Sequence, residues 1–205
     1  YELADTGIFD EQRYFDCDIE YAKPGINDIL LKITITNKGP EAAVIHVLPH
    51  FWYRNFWRHN KRFVRPLLKS VNSHCIHALS ARNGSFYLYH EGGEQLFCEN
   101  ETNTERIFHR PIESAFVKDG INDHVINGKA TVNPEKTGTK SAIHWKAIIA
   151  PGESREFRVR LSKAELENPW DQFEQVFTDR KKEMNAYYQQ LIPASIPASS
   201  KELLT

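Results

Sequence analysis

The chain has 205 residues and 40% hydrophobic content, enough to bury one sizeable core. Its 26 Lys and Arg nearly balance 27 Asp and Glu, and the net charge of -1 gives no general attraction to nucleic acid or to an anionic membrane. No run approaches the roughly 20 apolar residues of a membrane span and no signal peptide is evident, so we expect a cytoplasmic protein.

Alternation of apolar and polar residues predicts a series of short strands. The first two, Phe15 to Tyr21 and Ile29 to Ile35, flank a Pro24-Gly25 turn and should form a hairpin that ends near Asn37. Further strands are predicted at residues 43–51, 75–81, 85–90, 95–98, 141–150 and 156–162. A turn at residues 151–153 should join the last two strands as a terminal hairpin.

One helix is predicted after the strands. Asn168 suits the N-cap and Pro169 the first helical position, and apolar residues then recur at three- and four-residue spacing from Phe173 to Leu191. Many strands with short turns and no helix between them favour a mainly β fold, an antiparallel sandwich with a C-terminal amphipathic helix.

The predicted organisation is a β-sandwich over residues 1–165, a docking helix over residues 166–191, and a linker with the start of another domain over residues 192–205. Residues 192–200 have the Pro, Ala and Ser content of a linker. The segment from Ser199 to Glu202 then fits a helix capping box. We therefore expect a piece of a larger protein whose next segment is helical.

The cysteines and histidines do not predict a metal site or a cofactor. Cys17, Cys75 and Cys98 are an odd, widely spaced set, which favours buried free thiols over a disulfide framework or a cysteine-only zinc site. His74 and His77 would point to opposite faces of a strand, and His46 and His50 share a face without an evident third ligand.

Two polar loops, residues 99–106 and 117–123, have the composition of a binding-site rim. We call them the first and second polar loops. Their carboxylates could serve as acid and base in glycosidic bond cleavage, or Glu101 and Glu105 could cap turns and pair with Arg106 or Lys118 while asparagines satisfy loop backbone groups. The candidate rim residues are Glu99, Asn100, Glu101, Asn103, Glu105, Arg106, Lys118, Asp119, Asn122 and Asp123.

An aromatic and cationic run follows the third predicted strand. It extends from Phe51 to His59 and continues with Lys61, Arg62, Arg65 and Lys69. Trp52 and Trp57 could stack on sugar rings or bases, or they could be buried in core or interdomain packing. Balanced total charge disfavours the nucleic-acid interpretation. There is no GxSxG elbow, Walker loop or dinucleotide fingerprint, which leaves carbohydrate chemistry or plain binding.

Four segments carry a family resemblance: "YELADTGIFDEQRYFDCDIEYAK", "ENETNTERIF", "VKDGINDHVING" and "VNPEKTGTKSAIHW". Together they resemble the N-terminal β-domain of bacterial proteins similar to glycoside hydrolase family 63, which includes mannosyl-oligosaccharide glucosidase. The resemblance implies a supersandwich like that of galactose mutarotase, a helical linker, and an (α/α)6 barrel that carries the catalytic acids of an inverting glycosidase.

On that resemblance this chain carries no catalytic residue. Its partners would be the missing helical barrel of the same protein and a carbohydrate, and the rim residues would pack on the barrel or line its sugar site. Without the barrel, the two polar loops should be exposed and mobile. The alternatives are a free-standing carbohydrate-binding module and a mutarotase-like sugar epimerase that would need a histidine such as His46 or His144 beside a carboxylate in the sandwich groove.

Overall fold

The computed structural model describes residues 1–58, 60, 62–193, 195–197 and 200. The predicted capping box at residues 199–202 falls largely outside this range, as do His59 and Lys61. After a 3-10 helix at Leu3–Thr6, the elements in chain order are β1 (Phe15–Gly25), β2 (Asp28–Asn37), β3 (Ala43–Val47), β4 (His50–Trp52), β5 (Leu67–Asn72), β6 (Cys75–Ser80), β7 (Gly84–His90), β8 (Glu94–Cys98), α1 (Thr104–Phe108), α2 (Gly120–Asn127), β9 (Thr137–Gly138), β10 (Lys140–Ile149), β11 (Ser154–Ser162) and α3 (Phe173–Leu191).

The fold is mainly β, as predicted, with two antiparallel sheets that face each other as a sandwich. The large sheet has the strand order β1-β2-β11-β7-β6-β5-β9. Its first two strands form the predicted hairpin, with a register that runs from Phe15 opposite Asn37 to Gly25 opposite Asp28. Because pairing continues as far as Gly25, the turn lies at Ile26 and Asn27 and not at Pro24-Gly25.

The small sheet is built around β10. β3 pairs with the second half of β10, while β4 and β8 flank its first half at residues 140–142. The single strand predicted over residues 43–51 is wrong, because the chain leaves the ladder at Leu48 and Pro49. Proline has no N–H to donate to a ladder, and the Pro49 carbonyl instead accepts a hydrogen bond from the Ile143 N–H at 3.2 Å.

The predicted terminal hairpin is also wrong. A turn does occur, since the Glu153 N–H donates to the Ala150 carbonyl at 3.1 Å, but the chain crosses there from the small sheet to the large one. β11 pairs with β2 and β7. Trp145 of β10 and Phe157 of β11 therefore meet across the core, with ring centroids 5.2 Å apart, and not side by side in one sheet.

The main core fills the space between the sheets. It includes Ile33, Leu68 and Leu88 from the large sheet and Phe97 and Ile143 from the small one, all at most 5% exposed. Close packing of this kind is the largest stabilising contribution to such a fold.

The small sheet does not extend as far as β1. Ile19 lies opposite Ile33 and Tyr21 opposite Leu31, so both project from the core-facing side of the large sheet. Nevertheless, Ile19 is 50% and Tyr21 is 68% exposed. A groove of about 200 Å³, to which Tyr21 and Phe51 contribute, opens between the sheets at this end. An apolar strip of the inner face is thus left uncovered.

Two helices interrupt the strands, contrary to the prediction. At α1 the Asn103 side chain accepts the Arg106 N–H at 3.0 Å, which caps the helix. In α2, Ile121 is buried on the outer face of the small sheet against Leu96 and Ala142. Helices of 5 and 8 residues are too short to show a clear 3.6-residue period, which is why alternation alone missed them. Strands β5 and β9 were also not predicted, because neither shows a clear alternation of apolar and polar residues.

The predicted C-terminal helix is present but begins at Phe173, because Gln172 before it is left-handed with φ 55°. Phe173 and Phe177 pack on Ala22 and Leu30, on the outer face of the large sheet. Lys32 adds an ion pair with Glu174 of the helix at 3.0 Å. Within the described residues, no helix has the length and apolar content needed to cross a membrane.

All three cysteines are free thiols. Cys75 and Cys98 are buried, as predicted, and burial raises their pKa values to about 11 and about 12. The prediction is wrong for Cys17, which is exposed because it lies on the uncovered strip of β1.

The helix α3 should be anchored by its first turn. We expect Phe173→Ala to lower the free energy of unfolding by about 3 kcal/mol, because the substitution leaves a cavity against Ala22 and Leu30. Urea unfolding followed by circular dichroism measures this. The control is Met184→Ala in the same helix, where a side chain 45% exposed should cost less than about 0.5 kcal/mol. Equal losses in the two variants would contradict the docking described here.

Candidate functional site

An open cleft of about 430 Å³ lies between the aromatic and cationic run and the turn that joins β6 to β7. Four aromatic side chains line it, Tyr53, Phe56, Trp57 and Phe63. Polar groups at its edge come from arginines and from Asn83 in the β6–β7 turn. We call this the aromatic cleft.

Aromatic and guanidinium groups stack within the cleft. The rings of Phe56 and Phe63 are stacked with centroids 5.5 Å apart, and the Arg54 guanidinium lies 5.1 Å from the Phe56 centroid. Such apolar faces with adjacent donors can accommodate the C–H face of a sugar ring together with its hydroxyl groups. Trp57 is half-buried, and its indole N–H points to Glu101 Oε1 at 3.5 Å.

The first polar loop lies behind this cleft. Arg65 reaches Glu99 at 2.6 Å and Glu101 at 3.6 Å, so one guanidinium bridges both carboxylates. The Thr139 hydroxyl donates to Glu99 at 2.6 Å. Glu101 itself is only 7% exposed. Glu101 is therefore a buried carboxylate held by Arg65 and Trp57, not a free acid at the surface.

Asparagines of the loop fasten it to the aromatic run. The Asn100 side chain donates to the Tyr53 carbonyl at 2.8 Å, and Asn55 donates back to the Asn100 carbonyl at 3.0 Å. The two clusters that the sequence presents separately, some 40 residues apart, thus form one site. The sequence of each cluster gives no indication that the two are in contact. The run of cations that contains Arg65 does indicate positive charge close to Trp57 that needs carboxylate partners.

The second polar loop, residues 117–123, is bonded to the end of the first. Asn103 donates to Asp119 at 3.1 Å, and Arg106 bridges Asp119 at 3.2 Å and Asp123 at 3.7 Å. Lys129 also pairs with Asp123, at 3.4 Å. The buried Asp119 Oδ1 atom has no hydrogen-bond partner among the described residues. Asn103 and Arg106 thus join the start of α1 to the start of α2.

The candidate residues divide into paired and exposed groups. Glu101 pairs with Arg65, so the predicted pairing with Arg106 or Lys118 is wrong, whereas Asn100 and Asn103 do satisfy backbone groups. The expectation of exposed loops is wrong for the buried Glu101 and for the part-buried Glu99, Asn100, Asn103, Asp119 and Asp123. It is met by Glu105, Arg106, Lys118 and Asn122, which are exposed.

The two tryptophans differ. Trp57 lines the aromatic cleft, whereas Trp52 is 52% exposed on β4 opposite Lys140 and does not line the cleft. The expectation that both are buried is therefore wrong for Trp52. Among the cleft-lining residues that the structure describes, none is a carboxylate. The cleft can stack and hydrogen-bond a polar ring, but it presents no acid and base pair.

A histidine pair lies elsewhere, on the outer face of the small sheet. His46 Nδ1 is 2.8 Å from His144 Nε2, and Glu94 lies 3.9 Å from the other side of His144. This is not the sandwich groove that an epimerase would use. In the part of the chain that the structure describes, no three His, Cys, Asp or Glu side chains are placed to hold a metal ion.

Removing the shared cation should release the first loop. We expect Arg65→Met to lower the free energy of unfolding by about 1 to 2 kcal/mol, because two neighbouring carboxylates, one of them buried, lose their counter-ion. Chemical denaturation measures the loss, and Trp57 fluorescence should shift to the red. Arg110→Met, at another exposed arginine, is the control and should change neither. An unchanged stability in Arg65→Met would show that the bridge does not hold the loop.

Comparison with known proteins gives a distant relative. No family model matches the chain. The chain is 24% identical, over 245 aligned positions, to the uncharacterized protein YMR196W of Saccharomyces cerevisiae. The alignment covers 99% of this chain but only 22% of the yeast protein. The chain is therefore similar to a segment of a much longer protein.

Proposed function

We propose that this chain is a non-catalytic β-domain of a glycoside hydrolase similar to inverting α-glucosidases, which braces a helical catalytic domain and lines part of its sugar site. The observation that carries the proposal is the aromatic cleft: Trp57, Phe56 and Phe63 offer faces for a sugar, while Glu101, the carboxylate beside the Trp57 indole N–H, is buried in an ion pair. Glycosidases need two working carboxylates, so the chemistry belongs to another domain.

The ion pairs of the other acidic residues also support a non-catalytic role for this chain. A general acid or base must have its carboxyl group free to exchange a proton with substrate or water. Glu99 is engaged by Arg65 and Thr139, and Asp119 by Arg106 and Asn103. Their ion pairs and hydrogen bonds stiffen the two polar loops.

The bracing role rests on the uncovered strip of β1. Ile19 and Tyr21 project from the core-facing side of the large sheet and continue into the open groove beside Phe51. Contiguous exposed apolar surface of this kind is typical of an interface. We propose that its occupant is the helical domain that the family resemblance implies. The yeast relative, of which this chain matches only 22%, is long enough to hold such a domain.

Sugar contact should depend on Trp57. We expect the chain to bind maltotriose weakly, with a Kd of about 1 mM or above, and Trp57→Ala to weaken binding by about tenfold through loss of ring stacking. Isothermal titration calorimetry measures both. Trp52→Ala is the matched control, since Trp52 lies outside the cleft, and it should bind as the wild type does. Equal effects of the two substitutions would contradict the assignment.

Catalysis should be absent from the chain itself. We expect no release of 4-nitrophenol from 4-nitrophenyl α-glucoside by the purified 205-residue chain, because its rim carboxylates are held in ion pairs. The helical domain should turn the substrate over, and faster when this chain is added. Hydrolysis by the chain alone, lost in Glu101→Gln or Asp119→Asn, would overturn the proposal.

A further inference from the structure

A second cleft lies on the outer face of the small sheet, where α2 approaches β3 and β4. Its volume is about 610 Å³, within the usual range of small-molecule sites, and it shares no lining residue with the aromatic cleft. Apolar side chains contribute to its walls, among them Leu48 of the β3–β4 link and Ile121 and Val125 of α2. We call it the basic cleft, for the groups described next.

Every polar side chain that lines this cleft can donate a hydrogen bond, and two of them, Lys118 and Lys140, are cations. These side chains are His46, His50, Lys118, Asn122 and Lys140. No carboxylate lines the cleft. The acids of the adjoining loop are occupied elsewhere, Asp119 by Arg106 and Asp123 by Lys129. The cleft therefore has unbalanced positive charge.

Lys140 is the central cation of the cleft. Its ammonium group donates to the Lys118 carbonyl at 3.4 Å, and among the described residues no carboxylate lies within 4.0 Å of it. Partial desolvation and the charge of Lys140 lower the pKa of His50. The Lys140 ammonium thus supplies a positive potential that no described carboxylate within 4.0 Å offsets. The lowered pKa favours the neutral form of His50, whose ring N–H can donate a hydrogen bond.

His46 is held in place from behind. His144 Nε2 lies 2.8 Å from His46 Nδ1, and Glu94 lies 3.9 Å from His144 Nδ1. With His144 in the Nε2–H tautomer, His144 Nε2–H donates to His46 Nδ1, and the proton of His46 lies on Nε2. The His46 Nε2–H group can then donate a hydrogen bond to a ligand oxyanion.

We infer that the basic cleft binds a small organic molecule through a negatively charged oxyanion, a phosphate or a carboxylate, which Lys140 and the two histidines hold. The apolar wall contacts the body of the molecule, and the Lys140 ammonium and the imidazole N–H groups contact its charged group. Because the two clefts share no lining residue, this inference is independent of sugar binding at Trp57.

Calorimetry with three sugar-sized probes tests the inference. Glucose 6-phosphate and glucuronate should bind the 205-residue chain at low salt, the tighter one identifying the oxyanion, and glucose should not bind at this cleft. Added salt should weaken both anions. Lys140→Met should raise the Kd of the tighter-binding anion about tenfold, as expected for loss of a charged hydrogen bond.

Two further variants make the outcome decisive. Lys69→Met removes an exposed lysine of β5 and should leave binding unchanged, while His50→Gln should weaken it and so supports the site if Lys140→Met fails to fold. Three results would overturn the inference: glucose binding as tightly as glucose 6-phosphate, equal binding by Lys140→Met or His50→Gln and the wild type, or no binding of either anion at about 10 mM.

Discussion

The structure depends on a mismatch between its two sheets. A seven-stranded sheet faces a four-stranded one, and the smaller sheet can cover only part of the larger. Apolar side chains that face inward in the middle of the large sheet are buried, whereas the equivalent row on β1 is not. Burial of apolar area is the main stabilising contribution to folding, so an inward row left in water favours an additional partner.

Helices and loops cover the remaining faces. α3 lies over the outer face of the large sheet through Phe173 and Phe177, and α2 lies over the outer face of the small sheet through Ile121. The helix α2 also forms one wall of the basic cleft. The aromatic run closes the other end of the molecule, where Arg65 and Glu101 fix it to the first polar loop.

Much of the fold could be predicted from the sequence, since alternation along β1, β2, β7 and β11 is a local property. Strand partners are not local. The turn at residues 151–153 is compatible with a hairpin and with a crossing between sheets, and only the positions of Trp145 and Phe157 on opposite sides of the core distinguish them. Pro49 is the local feature that breaks the third predicted strand, because proline has no N–H to donate to a ladder.

The residue types of the candidate site could be predicted from the sequence, but the contacts between them could not. Glu99, Glu101 and Trp57 were singled out by residue type. Arg65, which pairs with both glutamates, is 34 residues from Glu99 and 36 from Glu101 along the chain. An acid-rich loop indicates a catalytic rim only if its charges are uncompensated. Here one arginine on a distant loop changes that interpretation, whereas Lys140 has no carboxylate within 4.0 Å among the described residues.

Hydroxyl-radical footprinting of Tyr21 tests the central claim most directly, with this chain alone and in the presence of the helical domain that we propose covers β1. Oxidation of Tyr21 should slow several-fold when that domain is present, while Ile148, 70% exposed on the outer face of the small sheet, should be oxidised at an unchanged rate. Equal oxidation of Tyr21 in both samples would contradict the account, since the uncovered strip of the large sheet would then have no partner in that domain.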